Sequence, residues 1–424
     1  MDYKALRNVL EQFAPSHASQ GERIAGTNAF LRKFHEDLGI KVNKHGMAVL
    51  ETGPNYMRPQ DFSIRGLADT FIGPQWAEGL SRSTANSYQV YEAGGAEAVL
   101  PSDLPNVSAF LGSVSGLLDA ALLQDYERPD FITDRLIPVD PTPNVRQKKY
   151  MGLGGLGDQA VRRNPGEEHA AMQFTERYTL TPETYQDGLR MEVTFETVQF
   201  DQTGQVLAHA NKIGEVMGLR KEKDGLRLIA GVDNPYNYGG VAYQTYVASG
   251  GFWVNTHSNP LTDWEDVNAT NLLFSRMTDQ ETGERIATDW DVMLVHNDKH
   301  ETAAQIKGAS EIETRTQSST AIRRGANTSI TNKEILSSPI MDQILTDAVA
   351  DRGLAVSTTN ALAYWWAINT RKAFSRVENW PFTVQRAAPN DYTMLNHKIL
   401  LALFVDQMHA YSVKDPRGVV RSTN

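Results

Sequence analysis

Cysteine is absent from the sequence. That rules out disulfides, thiolate nucleophiles and cysteine metal sites. Apolar runs long enough to cross a bilayer are also missing, although 41% of the residues are apolar, so no transmembrane segment is expected. The opening MDYKALRNVLEQF lacks the basic, apolar and small-residue order of a secretory signal, and no secretion is expected. Basic charge is in deficit: 41 Lys and Arg stand against 51 Asp and Glu, a formal charge of −10. A chain that coats nucleic acid with its whole surface is thereby disfavoured, while a local basic patch remains open. No Gly-x-Ser-x-Gly elbow, no glycine-rich phosphate loop ending in Lys-Ser or Lys-Thr, and no internal repeat occurs.

What is there fills 424 residues, room for two or three domains or one core with long excursions. The 32 glycines and 18 prolines are spread along the chain and indicate many turns and extended loops rather than a helical bundle. The organising stretch runs from Val198 to Val232. Val206, Ala210, Ile213 and Met217 recur at spacings of four and three, which predicts a long helix capped by Asp201 or Thr203. Lys212, Glu215, Lys221, Glu222 and Lys223 are expected to face water or a partner. Gly214, Gly218 and Gly225 count against an undisturbed helix, each costing roughly 1 kcal/mol relative to alanine if interior.

Short helices are expected over residues 2–14 and from Ala25 to Leu38, and a longer one from Leu104 to Leu123. Between Asn43 and Leu80 the period is lost, yet Phe62, Ile64, Phe71, Ile72 and Trp76 are too apolar for a disordered tail. The first hundred or so residues therefore read as an arm with apolar anchors, ordered by lying on other protein surface. Val145–Met151 and Phe174–Leu180 are extended segments on either side of a glycine-rich charged loop, the pattern of a protruding β-hairpin. Thr262-Asp263-Trp264-Glu265 reads as a capping box. Trp290–Val295 is a buried strand followed by a helix from Lys299. Ser310–Asn332 reads as polar turn, Leu354–Ser357 as a short strand, and Leu362–Ile368 as a covered strand. Lys398–Val405 is ambiguous between helix and strand, with the strand preferred.

Several motifs fail on inspection. Gly152, Gly154 and Gly157 match the dinucleotide fingerprint, but Pro165 interrupts the helix that should follow, so the glycines are better explained as freedom in a bending loop. His296 and His300 have the spacing of two zinc ligands, but residue 297 is Asn where a general-base carboxylate would stand. Asp289 and Asp291 lie near them without forming an acid–base pattern. Trp365 and Trp366 could stack bases, but their Ala, Leu and Ile neighbours favour burial. Arg323 and Arg324 form a small basic patch in a glycine turn. No catalytic, cofactor-binding or metal-ligating set emerges.

The order of the pieces resembles the major capsid proteins of tailed double-stranded DNA bacteriophages, the Hong Kong ninety-seven type of shell fold. Phe131-Ile132-Thr133-Asp134-Arg135-Leu136-Ile137-Pro138 is similar to that family's passage from the N-terminal arm into its extended loop. Arg162-Arg163-Asn164-Pro165-Gly166-Glu167-Glu168 resembles the loop's charged part, and Tyr178-Thr179-Leu180 with Met191-Glu192-Val193 its returning strand. The helix from Asp201 resembles the family's spine helix, Trp290–Val295 the first strand of its axial domain, and Ala410–Pro416 its closing strand. The resemblance covers roughly residues 128 to 420. It departs at the long segment before residue 128.

The resemblance implies an α+β chain with an N-terminal arm (1–130), an extended β-hairpin loop (131–181) and a peripheral domain with the spine helix (182–284). An axial domain with a mixed sheet (285–379) and return strands with a tail (380–424) would follow. It implies no enzyme, no cofactor and no membrane partner, but self-assembly into pentamers and hexamers of an icosahedral head. That head would enclose double-stranded DNA in the virion, be built in the host cytoplasm, and meet a portal protein and scaffolding or cement proteins. Arg162, Arg163, Glu167 and Glu168 would form intersubunit ion pairs. Phe30, Phe34, Phe62, Phe71 and Trp76 would add apolar area at subunit boundaries. Two other readings remain: the shell of an encapsulin-like nanocompartment, and an α+β enzyme.

Overall fold

The computed structural model describes residues 3–15, 19–42, 48–51, 53, 56–71, 104–128, 130–151, 165–166, 178–200, 204–233, 236–250, 253–278, 283, 285–286, 288–315, 322–326, 330, 332–387 and 399–423. It is an α+β chain that divides into two units. The first comprises residues 1–128, 186–219 and 381–407; the second comprises 129–185, 220–380 and 408–424. The chain changes unit inside its longest elements, the helix Gln205–Ala230 and the strands Phe374–Ala387 and Ile399–Val413.

In the first unit the helix Leu104–Tyr126 is the hub. Ala109, Phe110, Val114, Leu117, Leu118, Ala120, Ala121 and Leu122 are all buried, so it is apolar nearly all round and must be covered on every side. The helices Tyr3–Phe13, Gln20–Asp37 and Ile64–Phe71 and the first half of the long helix supply that cover. The described parts of residues 1–128 therefore form a packed helical core, where the sequence suggested an arm with short helices ordered by lying on other protein surface. Its aromatic anchors sit inside. Phe30 stacks on Phe34 at 6.0 Å between ring centroids and meets Phe71 edge-on at 5.9 Å, and Phe34 meets Phe62 edge-on at 6.2 Å. Gly214 belongs to this packing: a Cβ there would lie 2.1 Å from the carbonyl oxygen of Leu122. The glycine counted against the long helix is what lets it approach the hub.

The second unit is built on a five-stranded sheet in the order Glu334–Ser337, Val292–Val295, Trp365–Ile368, Val419–Thr423, Thr256–Ser258. The outer pairs are parallel and the two inner pairs antiparallel. Successive residues alternate between two apolar clusters. Val292, Leu294, Trp366, Ile368 and Val419 join one; Met293, Val295, Trp365, Ala367 and Val420 join the other. A sheet covered on both faces needs no polar alternation, which is why VMLV and WWAI read as continuous apolar runs. The tryptophans are core residues.

Three local readings change, and one left ambiguous is settled. The box at the helix Trp264–Arg276 closes one residue later, with Asp266 accepting from the Asp263 N–H at 3.0 Å. Glu311–Arg315 and Ile322–Ala326 form an antiparallel hairpin where a polar turn was expected; Ile and Thr at alternate positions give it strand propensity. Leu354–Ser357 is not a strand. Its Leu354 and Val356 N–H groups donate to the carbonyls of Ile344 and Leu345, so they cap the C-terminal turn of the helix Pro339–Thr346 instead of joining a ladder. The described part of the ambiguous segment, from Ile399 to Val405, lies in a long strand, the preferred reading.

Candidate assembly elements

The expected loop excursion is flanked by strands of a small sheet in the second unit. Lys149–Met151 pairs antiparallel with Tyr178–Leu180, and that strand pairs with Asn237–Tyr238, which turns back through Val241–Ala242. Below the first pair the ladder continues through Thr181 N–H to Lys148 carbonyl at 3.0 Å and Thr184 N–H to Arg146 carbonyl at 3.2 Å. Asp140 gathers the near side: Lys148 Nζ lies 2.5 Å and the Tyr150 hydroxyl 2.7 Å from its Oδ2. Burial pushes the Asp140 carboxyl up, but these donors outweigh it and hold the group below its usual pKa.

Both feet of this excursion rest on one turn of the long helix. On the incoming side Glu222, fully buried, accepts the backbone N–H groups of Ile132 and Thr133, both at 3.0 Å. Those are orphan donors at the start of the short helix Thr133–Leu136, so a carboxylate from another element caps it. Asp134 then accepts from Lys221 Nζ and from Arg376 Nη1, each at 2.6 Å. Asp134 keeps 45% of its side chain exposed, while Lys221 keeps 3% and Arg376 8%. Both cations are thus buried against its carboxylate, and Arg376 also reaches Glu378 at 3.3 Å. On the outgoing side the Tyr185 hydroxyl donates to Asp224 at 2.8 Å, and Arg220 pairs with the same carboxylate at 3.2 Å.

The local electrostatics follow from this geometry. Burial raises the Glu222 pKa in spite of its hydrogen bonds from Thr133 and Ile132. Burial pushes the Asp134 pKa up, but Lys221 and Arg376 outweigh it and bring the group below its usual value. His409 faces the same cluster beside Tyr185 and Tyr411, whose ring centroids are 5.5 and 5.3 Å away. Burial, then Arg376, Lys221 and Arg220, lower its pKa to about 3, so the imidazole is held neutral.

Sequence reasoning found the incoming motif at Phe131–Pro138 but expected Lys221 and Glu222 to face water or a partner; both are buried within the chain. A pair of adjacent charges on a helix reads as surface because their partners, at Ile132–Asp134, are remote in the chain. Gly225 was the available signal. A Cβ there would fall 2.2 Å from Thr133 Cγ2, so a glycine on the helix's charged face marks where the incoming foot packs.

The other singled-out residues are distributed as follows. Phe30 and Phe34 are 2% exposed and Phe62 and Phe71 4%, so their rings fill the first unit's own core and offer no free apolar surface. Trp76, Arg162, Arg163, Glu167 and Glu168 lie outside the described residues, as do Gly152, Gly154 and Gly157 and the capping candidates Asp201 and Thr203. Asp291 accepts from the N–H and hydroxyl of Thr370 at 2.8 and 2.5 Å, Asp289 pairs with Lys333 at 2.7 Å, and His296 caps a short turn through Asp298. His296 and His300 belong to no group of three metal-ligating side chains among the described residues. No described helix is long and apolar enough to cross a membrane.

Among solved structures the chain is similar to the capsid of cyanophage P-SCSP1u, at 10% identity over 68% of this chain and 86% of that one, with a TM-score of 0.43. It is also similar to a structure of Mycobacterium phage Ogopogo, at 11% identity, 69% and 91% coverage and a TM-score of 0.39. The SrpI encapsulin complex of Synechococcus elongatus matches at 11% identity, 70% and 87% coverage and a TM-score of 0.40. No curated protein matches the sequence. These structural likenesses are too weak to carry an argument, and the assignment rests on the sequence match to a family described as phage capsid protein over residues 177–422. That match takes in the returning foot of the excursion, the long helix and the five-stranded sheet, more than half of the chain, and the protein belongs to the phage capsid protein family.

Proposed function

We propose that this capsid protein is the major shell subunit of a tailed-phage head with the Hong Kong ninety-seven type of fold. It closes with its own copies into pentamers and hexamers of an icosahedral shell around double-stranded DNA. The observation that carries this reading is the excursion between residues 151 and 178, whose two feet are tied to residues 221–224 of the long helix. A segment that reaches for a neighbour loses much of its binding free energy to ordering unless its base is fixed beforehand. Here the ordering is done within the chain. The excursion would lie across an adjacent subunit, with Arg162, Arg163, Glu167 and Glu168 as ion-pair partners worth about 0–1 kcal/mol each. Repeated around a closed shell, such contacts set register more than strength. Trp76 would add apolar area. A portal protein and scaffolding or cement proteins are the further partners of such a head, which is assembled in the host cytoplasm and ends in the virion.

The test is negative-stain microscopy of the purified chain with sedimentation velocity. Thin-walled polyhedra, or rings of five and six, are the expected result. A homogeneous monomer or dimer across salt and pH, with scaffold co-expressed, would overturn it. Particles loaded with an enzyme instead of DNA would turn the reading toward a nanocompartment shell.

A further inference from the structure

The four-stranded sheet in the order Val139–Pro141, Phe374–Ala387, Ile399–Val413, Tyr185–Thr194 has two unequal edges. Val139–Pro141 is three residues long, contains Pro141 and is flanked by Pro138 and Pro143, which lack the N–H that a further strand would need. Tyr185–Thr194 is ten residues long, has no proline, and is exposed or half-exposed at every position but Val193. Among the described residues no strand lies on its outer side. Alongside it in the first unit runs a groove of about 390 Å³ with Leu189, Met191, Val193 and Val216 among its apolar lining and Arg190, Glu192 and Lys212 among its charged lining. Leu189 and Val216 are 38% and 42% exposed there, an apolar stripe left open.

We infer that this edge pairs with the same edge of a second copy of the chain, antiparallel about a two-fold axis that places Met191 opposite Met191. The charges of the strand select the register. Directly opposed residues lie on the same face of a sheet, so any one-residue slip would set the apolar row Leu189, Met191, Val193 against the charged row. Of the registers that keep the rows together, centring on Arg190 or on Glu192 opposes like charges, and centring on Leu189 leaves both charges without a counterpart. Centring on Met191 puts Arg190 opposite Glu192 twice, once in each direction, and Leu189 opposite Val193. The occupant is therefore the chain itself: the strand is complementary to its own reverse, as an isologous contact requires. Arg190 and Glu192, which pair within the strand, would share their charges across the axis.

The inference rests on the shell reading only in that copies must meet, and the absence of cysteine gives it a clean test. In an opposed antiparallel pair the Cα atoms are about 4.5–5.5 Å apart, inside the window of about 4.4–6.8 Å for a disulfide. Met191→Cys in the full chain, assembled and then mildly oxidised, is expected to run mostly as a disulfide-linked dimer. Leu189→Cys, whose symmetry mate would lie roughly 13 Å away, is expected to give at least tenfold less. In the Met191→Cys background Arg190→Glu should reduce the dimer several-fold, and adding Glu192→Arg should restore it. Equal cross-linking from Met191→Cys and Leu189→Cys would overturn the pairing, as would no rescue by the charge swap. Particles that form without a Met191→Cys dimer overturn the pairing and leave the shell reading standing. If no particle forms, the cross-link is read on the soluble chain over a concentration series, and its absence there overturns the pairing as well.

Discussion

Among the described residues the first unit buries a single charged side chain, Asp119, whereas the second buries Lys221, Glu222, Asp224, Arg376, Glu378, Asp415 and Arg417. The first is held by hydrocarbon: stacked and edge-on phenylalanines around an apolar helix, where contacts are non-directional and add up with area. The second contains apolar clusters too, but its excursion is fastened by carboxylates and cations with defined directions. Buried ion pairs are often no better for stability than well-packed apolar groups, while breaking one by removing a partner is costly. The difference is thus one of geometry. An apolar core tolerates a repacked neighbour, whereas Glu222 and Asp134 fix where the incoming strand leaves the long helix.

The contrast can be broken first at its apolar end. Phe34→Ala should cost about 3–5 kcal/mol in urea denaturation, because the ring fills a space between Phe30 and Phe62 that cannot collapse. Glu222→Leu conserves apolar volume but strands two buried N–H groups, and should cost about 3 kcal/mol. Its signature would be local: loss of hydrogen-exchange protection at the Ile132 and Thr133 amides, with the amides of Leu117 and Leu118 unchanged.

A smaller effect is set by pH. His409 is neutral in the folded chain down to about pH 3, while unfolded it protonates near 6.5. Below pH 6.5 the unfolded chain therefore binds more protons, and stability falls as pH falls. One proton is worth about 1.4 kcal/mol per pH unit, so His409→Gln should be spared about 2 kcal/mol of the loss between pH 6 and pH 4. Glu222, with its raised pKa, acts in the opposite sense, but it is common to both chains and cancels in the difference. The smallest effect expected is at Gly214→Ala, about 1–2 kcal/mol of destabilisation in thermal unfolding. A helical glycine replaced by alanine would ordinarily gain about 1 kcal/mol, so a net loss reports the contact with the Leu122 carbonyl.

The same contrast explains what could be read from the sequence. The helices Tyr3–Phe13, Gln20–Asp37 and Leu104–Tyr126 were legible because their apolar residues recur at helical spacing and their partners are equally apolar. The paired strands of the excursion were legible from the loop between them, and Phe131–Pro138 from its resemblance to a family phrase. What failed was everything that depends on a distant polar partner. Lys221 and Glu222 look solvated until Asp134 and the Ile132 and Thr133 amides are brought to them. Leu354–Ser357 has strand composition, but its N–H groups are claimed by the end of a helix. The N-terminal aromatics looked like anchors for a neighbour because the helix that covers them lies more than thirty residues further on.

The most direct test of the account compares the closed-particle yield of the wild-type chain with that of Glu222→Leu. The yield is read by sedimentation velocity and microscopy at a temperature where circular dichroism shows both folded. The wild-type chain should close into shells, and the variant, with its incoming foot released, should remain in small oligomers or irregular sheets. Shells of the same size and yield from both would contradict the claim that the Glu222 fastening positions the excursion for assembly.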